Sequence, residues 1–246
     1  MLGACVSSSE DFNDSLSWMF EISLSQSDIA EIARLFKSIH KPVTMYFFVR
    51  SFKCPTCKPA MNLAEALRQA IIIAGKTDLI KVREYSLDES EGKTLAKFFN
   101  VNRVPTILLL NGYIKYVGIP SGEELNSFIE TIVRIGTEDI GLSSDVKEAI
   151  EELGDERVNI EVMVTPTCPY CPYAVLTANM FAYVSYMVRG KLTSEAIELY
   201  ENPDIAYKYA VMSVPAIAIN GKLAFVGLPS EYELLSMIRK ILRSNR

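Results

Sequence analysis

The sequence predicts an α/β fold made of two tandem units, each a central mixed β-sheet flanked by helices. Three observations carry this expectation. A Cys-Pro-X-Cys tetrad occurs twice, at Cys54–Cys57 and Cys168–Cys171, 114 residues apart. Each tetrad stands between a β-branched apolar run and a long segment whose apolar residues recur at helical spacing. After each tetrad the same landmarks follow in order: Val-Pro, a short apolar run, Asn-Gly, a second apolar run, then Gly-X-Pro-Ser.

The elements can be justified one by one. Ser27 to Ile39 fits a capped amphipathic helix with Asp and Glu early in its course. Val43 to Val49 reads as a strand, Cys57 to Ala74 as a helix, Ile80 to Ser86 as a second strand and Ser90 to Phe99 as a short helix. Thr106 to Leu110 and Tyr113 to Val117 flank Asn111-Gly112 as a hairpin, and Gly122 to Ile135 fits a closing helix. In the second half Val158 to Val164 is the first strand, and Cys168 opens a helical segment. Ile197 to Leu199 lies near the second strand. Ala216 to Ile219, Asn220-Gly221 and Leu223 to Val226 form the hairpin, and Ser230 to about Leu242 the closing helix. A connecting stretch from Gly136 to Gly154 holds a short helix over Asp145 to Leu153. The expected organisation is an N-terminal extension over 1–19, rich in Ser and acids, a first unit over 20–136, and a linker helix with the second unit over 137–246.

Composition narrows the function classes. With 49% hydrophobic and 22% charged residues in 246, each unit can bury a core of ordinary size. A net charge of −5 argues against a nucleic-acid partner, and no apolar run approaches a membrane span. Met1-Leu2-Gly3-Ala4-Cys5-Val6 turns polar at once without a basic flank, so no secretory signal and a cytoplasmic location are expected. Two close cysteine pairs in such a protein point to redox or metal chemistry rather than a stabilising framework.

The order strand, tetrad, helix, strand, helix, hairpin, helix describes the thioredoxin fold. The chain resembles the archaeal glutaredoxin-like protein disulfide oxidoreductases, protein disulfide isomerase-like proteins with two thioredoxin units in tandem. The carrying residues are Phe48-Val49-Arg50 with Cys54-Pro-Thr-Cys57, the stretch Val164-Thr-Pro-Thr-Cys-Pro-Tyr-Cys-Pro172, and Val211-Met-Ser-Val-Pro215. The likeness runs from about residue 20 to the end. It implies disulfide formation, reduction or isomerisation in protein clients, with no cofactor beyond the redox-active disulfides. It further implies a flavin-dependent, thioredoxin-reductase-like electron donor and thiol peroxidases among the clients.

The spacing suits the chemistry. Two intervening residues let a disulfide close across the first helical turn, and unpaired N–H groups with the helix dipole favour a thiolate at the first position. Proline fits that turn without losing a hydrogen bond. Cys54 and Cys168 are the expected attacking thiols, exposed at the helix start, with Cys57 and Cys171 the deeper resolving partners. The resemblance places a cis-proline at Pro105 and at Pro215, with the backbone of Val104 and Val214 offered to an extended client. Arg50, Lys53 and Lys58 flank the first tetrad and would favour its thiolate, whereas Thr165, Pro166, Thr167 and Pro172 leave the second neutral. Unequal thiol pKa values and potentials follow.

Some marks of the wider family are missing. Lys53 and Thr167 stand where many thioredoxins have Trp. Phe48 and Val162, six residues before the first cysteines, stand where a buried Asp is common, and Glu161 is one place off, facing the other side of its strand. The glutathione-binding Gly-Gly-X-Asp of glutaredoxins is absent after the second hairpin.

Competing readings stand beside this one. Zinc held by four thiolates would need both pairs to converge from apparently separate cores, and no metal site is expected. A client-binding module without turnover is a second competitor, and a purely structural role for one tetrad is a third. Cys5 reads as an incidental thiol. His40, the sole histidine, sits at a helix-to-strand connection as a surface or capping residue. The Tyr and Met residues from Met180 to Met187 read as core or interface.

Overall fold

The computed structural model describes residues 20–244. The expected extension over 1–19, with Cys5, lies outside the described residues. Helix α1 (Gln26–Phe36) is closed at its start by a capping box, in which Asp28 N donates to Ser25 Oγ (3.2 Å) and Ser25 N to Asp28 Oδ2 (2.8 Å). The cap thus lies two residues before the expected start. Strand β1 (Val43–Val49) leads into the first tetrad and helix α2 (Cys57–Ala74). Ala60, Leu63, Ala64, Leu67, Ala70 and Ile71 recur on one face of α2 and are buried, and Gly75 closes the helix in the left-handed region at φ 67°. Strand β2 (Ile80–Ser86), helix α3 (Ser90–Phe98), strands β3 (Thr106–Leu109) and β4 (Ile114–Val117) and helix α4 (Glu124–Thr137) complete the first unit.

The second unit repeats the order. It runs through α5 (Ser144–Glu151), β5 (Val158–Val164), α6 (Cys171–Met187), β6 (Leu192–Glu198), α7 (Pro203–Tyr209), β7 (Ala216–Ile219), β8 (Lys222–Val226) and α8 (Glu231–Ser244). The helix expected over Asp145 to Leu153 is α5; it packs on α6 as α1 packs on α2. Two second-unit elements differ from expectation. Strand β6 begins at Leu192, because its polar Ser194 and Glu195 are satisfied by partners inside the fold. Helix α7 went unread, although Pro203 at its start follows Asn202 in the manner of a helix opening. The hairpins also diverge. Asn220-Gly221 forms a two-residue turn with both φ values positive (50° and 76°), whereas Leu110, Asn111 and Gly112 are all left-handed in a longer 3-10 turn.

Eight strands form one sheet in the order β2-β1-β3-β4-β6-β5-β7-β8. Within each unit the first two strands are parallel and the rest antiparallel. The units join where β4 pairs in parallel with β6, from Ile114 opposite Ser194 to Val117 opposite Ile197. The largest apolar cluster is correspondingly continuous, running from Ile29, Phe36 and Leu67 through Phe128 to Phe181 and Ile238. This corrects the expectation of separate cores: edge-to-edge pairing brings α4 against α6, so helices of both units share one apolar layer. Helix α6 is buried around much of its girth, and Met180, Phe181, Tyr183 and Val184 are core residues at that junction.

A polar network crosses the junction inside this layer. Asn179 Nδ2 donates to Tyr116 Oη (2.8 Å) and Thr131 Oγ1 (3.1 Å), and Ser194 Oγ donates to Asn179 Oδ1 (2.8 Å). All four residues are buried. Asn179→Ala would take a partner from three buried hydroxyls, and a loss on the order of 2–3 kcal/mol is expected, read as a lower urea midpoint. A stability unchanged within error would show that the network contributes nothing.

Candidate functional site

Each tetrad lies between the end of a first strand and the start of the following helix, as a disulfide. The Cα atoms are 5.3 Å apart in Cys54–Cys57 and 5.5 Å apart in Cys168–Cys171. In both, the N–H of the second cysteine donates to the carbonyl of the first at 3.3 Å, closing the turn that opens the helix. The second positions are deep, Cys57 at 4% and Cys171 at 0% exposure. The first positions differ. Cys54 is half-buried, while Cys168 is only 7% exposed, so the expectation of an exposed first sulfur is corrected at the second site. Pro166 and Thr165 fold that loop back on the first unit: Glu123 N donates to the Pro166 carbonyl (3.0 Å), and a Cβ on Gly122, at φ 58°, would collide with it.

The loops entering the two tetrads are not equal in length. The strand registers align Phe48 with Met163, since each pairs with the residue after its Val-Pro. The first loop therefore carries one extra residue, and Lys53 takes it up in the left-handed region at φ 56°. The partner of Val162 in the first unit is accordingly Phe47 and not Phe48; both face the large core and neither is ionisable. Glu161 faces the opposite side, where it accepts a hydrogen bond from Tyr209 Oη (2.5 Å).

At the first site the Val104–Pro105 bond is cis, and Cys54 Sγ lies 3.5 Å from the Val104 carbonyl oxygen. The Val214–Pro215 bond is cis in the second unit. Of the basic residues expected around Cys54, Arg50 turns away to Asp88 (Nε–Oδ1 3.8 Å), although its backbone N–H points at Cys57 Sγ (3.3 Å). Asp88 also accepts from Ser51 N (2.7 Å), and that bond holds its carboxyl below the usual range. Lys58 is exposed on the first turn of α2. Lys53 does line a cleft of about 420 Å³ with Cys54. The opposite side of that cleft is acidic, so the setting is mixed rather than basic. His40 is exposed at its connection, its Nδ1 3.3 Å from the Ser38 carbonyl, and takes no part in either site.

The acidic wall escaped the sequence reading. Glu201, from the second unit, accepts a hydrogen bond from Thr56 inside the first tetrad and another from Ile119 N (2.6 Å). Its own N–H donates to Glu198 Oε2 (2.6 Å). Burial pushes the Glu201 carboxyl up and that of Glu198 up to about 8. Glu124, on the first turn of α4, is likewise pushed up to about 8 by burial; its Oε1 has no hydrogen-bond partner among the described residues. Glu124 and Glu198 line one small cavity together with Val164, the last residue before the second tetrad loop. The only sequence signal is acids standing at Glu198 and Glu201 in an otherwise apolar run, and in the first unit the register maps them to Ser86 and the exposed Glu89.

Known proteins share this arrangement. A family model described as a thioredoxin domain matches residues 158–239. A probable thioredoxin of Methanothermobacter thermautotrophicus is 43% identical over 81 residues, which span 33% of this chain and 92% of that protein. A protein disulfide oxidoreductase from Aeropyrum pernix superposes with a TM-score of 0.85 at 37% identity, covering 92% of this chain and 97% of that one. The chain belongs to the protein disulfide oxidoreductases. It is a thiol–disulfide oxidoreductase of thioredoxin fold with two disulfide pairs. The F subunit of the Pseudomonas aeruginosa alkyl hydroperoxide reductase is also similar, 26% identical over 171 residues, spanning 68% of this chain and 29% of that protein. No helix among the described residues of this oxidoreductase is long and apolar enough to cross a membrane.

The raised carboxyls make stability depend on pH. A folded-state pKa near 8 against the usual 4.5 means that the native state keeps a proton which the unfolded chain loses. Stability should therefore fall as pH rises from about 4.5 to about 8, by up to about 1.4 kcal/mol per pH unit for each such group. Glu124→Gln and Glu198→Gln should each flatten that slope in urea titrations across this window. A parent protein equally stable at both ends would contradict the assignment.

Proposed function

We propose that both tetrads of this oxidoreductase turn over, each within its own unit (20–136 and 137–246), with Cys54 and Cys168 attacking and Cys57 and Cys171 resolving. The observation carrying this is the depth of Cys57 and Cys171 beneath their partners, marked at the first site and slight at the second, joined at the first site to the Val104 carbonyl 3.5 Å from Cys54 Sγ. In the reductive direction the attacking thiolate displaces one client sulfur, which leaves as a thiolate and takes a proton. The resolving thiol, on losing its proton, attacks the mixed disulfide, releases the second client sulfur and closes the protein's own disulfide. Two electrons pass from the protein to the client, and the reverse sequence oxidises a client dithiol. The helix N-terminus stabilises the attacking thiolate in either direction.

The backbone around Val104-Pro105 and Val214-Pro215 offers an extended client the pairing edge beside each disulfide. Lys53 and Lys58 act on Cys54 from the solvent side, and Arg50 acts through the loop it anchors. No cofactor beyond the disulfides is needed for this exchange. Similarity to the F subunit of alkyl hydroperoxide reductases supports a place in peroxide-reducing electron transfer, with a flavin-dependent reductase as donor and thiol peroxidases as clients.

Reduction of insulin by dithiothreitol tests the reading. The parent should accelerate precipitation, and replacement of Cys54, Cys57, Cys168 and Cys171 by Ser should return the rate to that of dithiothreitol alone. Equal activity of the two would leave a client-binding module without turnover. Cys54→Ser and Cys168→Ser, titrated separately against a dithiol buffer, should show unequal potentials, because one first cysteine opens on an acid-walled cleft and the other is buried.

A further inference from the structure

The carboxylate of Glu201 stands at a place the chemistry above does not use. It belongs to the second unit, yet it forms one wall of the cleft that holds Cys54 and is hydrogen-bonded to the hydroxyl of Thr56, between the two cysteines of the first pair. Both of its oxygens accept hydrogen bonds, from Thr56 and from Ile119 N, which is how a carboxylate and not a buried amide is satisfied. Its close seat is reserved by Gly118: a Cβ there would lie 2.7 Å from Glu201 Oε1. The groups facing it are few. Glu198 lies behind it, sharing a cavity with Glu124; Lys53 and Glu21 line the same cleft, and Tyr200 stands beside it. Arg103, a guanidinium of the first unit that reaches the same second-unit segment, is committed to Asp204 (2.5 Å) and Asn202 (3.2 Å). A thiolate formed at Cys54 therefore shares its cleft with one half-buried carboxylate that is held in place, Glu201, and with the exposed Lys53 and Glu21.

We propose that Glu201 is a positioning residue for charge at the first site, taking up a proton when the Cys54–Cys57 disulfide is reduced and so setting that site's reduction potential from the other unit. The inference rests on Cys54 being the attacking thiol. The step balances. A client dithiol gives two electrons and two protons and becomes a disulfide; the Cys54–Cys57 bond breaks, Cys57 takes one proton, Cys54 is left as the thiolate, and the second proton passes to the Glu201 carboxylate. Net charge at the site is unchanged, so no second negative charge is added in a half-buried cleft. Burial already favours the protonated carboxyl, and the Thr56 and Ile119 donors hold it back. A new thiolate nearby tips that balance.

The test isolates the first site by replacing Cys5, Cys168 and Cys171 with Ser in the full chain, and compares it with the same protein carrying Glu201→Gln. Trapping thiols after equilibration with dithiothreitol over a pH series should show Glu201→Gln lowering the Cys54 pKa. It should also shift the exchange equilibrium about tenfold toward the dithiol, some 30 mV more oxidising for a two-electron couple. Infrared difference spectra between oxidised and reduced forms should show a protonated carboxyl band appearing on reduction, lost in the variant. Identical pKa, equilibrium and spectra would overturn the role of Glu201. Failure of the parent pair to exchange with dithiols at all would overturn the reading of Cys54 as well, so the two failures are told apart. Should Glu201→Gln not fold, Thr56→Val keeps the carboxylate and removes its hydroxyl donor. It should move the equilibrium the same way by a smaller factor, and no movement would refute the link.

Discussion

The parallel pairing of β4 with β6 is the constraint from which the rest of the molecule takes its shape. Each unit alone would present an edge strand with unpaired backbone groups, and an open edge is a hazard in water. Joining the two edges satisfies those groups and aligns α4 with α6 over one face of a continuous sheet. Lys115 and Glu195, opposite each other on the other face, add an ion pair at 3.0 Å with both side chains largely shielded. The outer edges, β2 and β8, keep charged residues such as Lys81, Arg83 and Lys222 along them, which discourages the same pairing between copies of the chain.

Register at this junction is specified by polar groups as well as by packing. Apolar contact between α4 and α6 tolerates small slips; the bonds from Asn179 to Tyr116 and Thr131, and from Ser194 to Asn179, do not. Moving β6 by one residue would turn Ser194 to the other face and leave Asn179 Oδ1 without its donor in a dry core. The same junction breaks the symmetry of the duplicated loops. Ile119, after Gly118, is 1% exposed: its side chain packs on Phe20 and Ala60 of its own unit, and its N–H donates to Glu201 of the second. Its counterpart Leu228, after Gly227 at the outer end of the sheet, is 42% exposed. Matching Gly-X-Pro-Ser segments thus serve differently, one as an interface and one as a surface loop.

This explains which features were legible in the sequence. Elements whose signal is local were read nearly to the residue: β1, α2 and β5 obey their periodicities, and the two Val-Pro bonds sit where the resemblance placed them. Features created by the junction were not. Ser194 and Glu195 spoil the apolar pattern of β6 because their partners come from α6 and from the other unit. Glu201 carries no mark that separates it from its exposed counterpart Glu89; only the fused sheet turns it toward Thr56. The extra residue at Lys53 was hidden as well, since the cysteine spacing gives one offset between the repeats and the strand registers another.

The difference between the two sites follows from magnitudes. Both first cysteines sit at a helix N-terminus, a contribution of about 0.3–1 kcal/mol for a nearby anion and common to the two. A flexible lysine at the surface adds little, because water screens it. A carboxylate held in a partly closed cleft is screened less than a surface lysine, so its charge weighs more on a nearby thiolate unless it takes up a proton. That influence has the opposite sign to the helix contribution. At the first site, then, the proposed control of the thiolate lies with an acid of the other unit, Glu201, and not only with the basic residues beside it in sequence. The loop of the second tetrad is instead met from the first unit by backbone, with Glu123 N bonded to the Pro166 carbonyl and Gly122 packed close against it. Two copies of one motif are thereby placed in unequal surroundings by the contact that joins them.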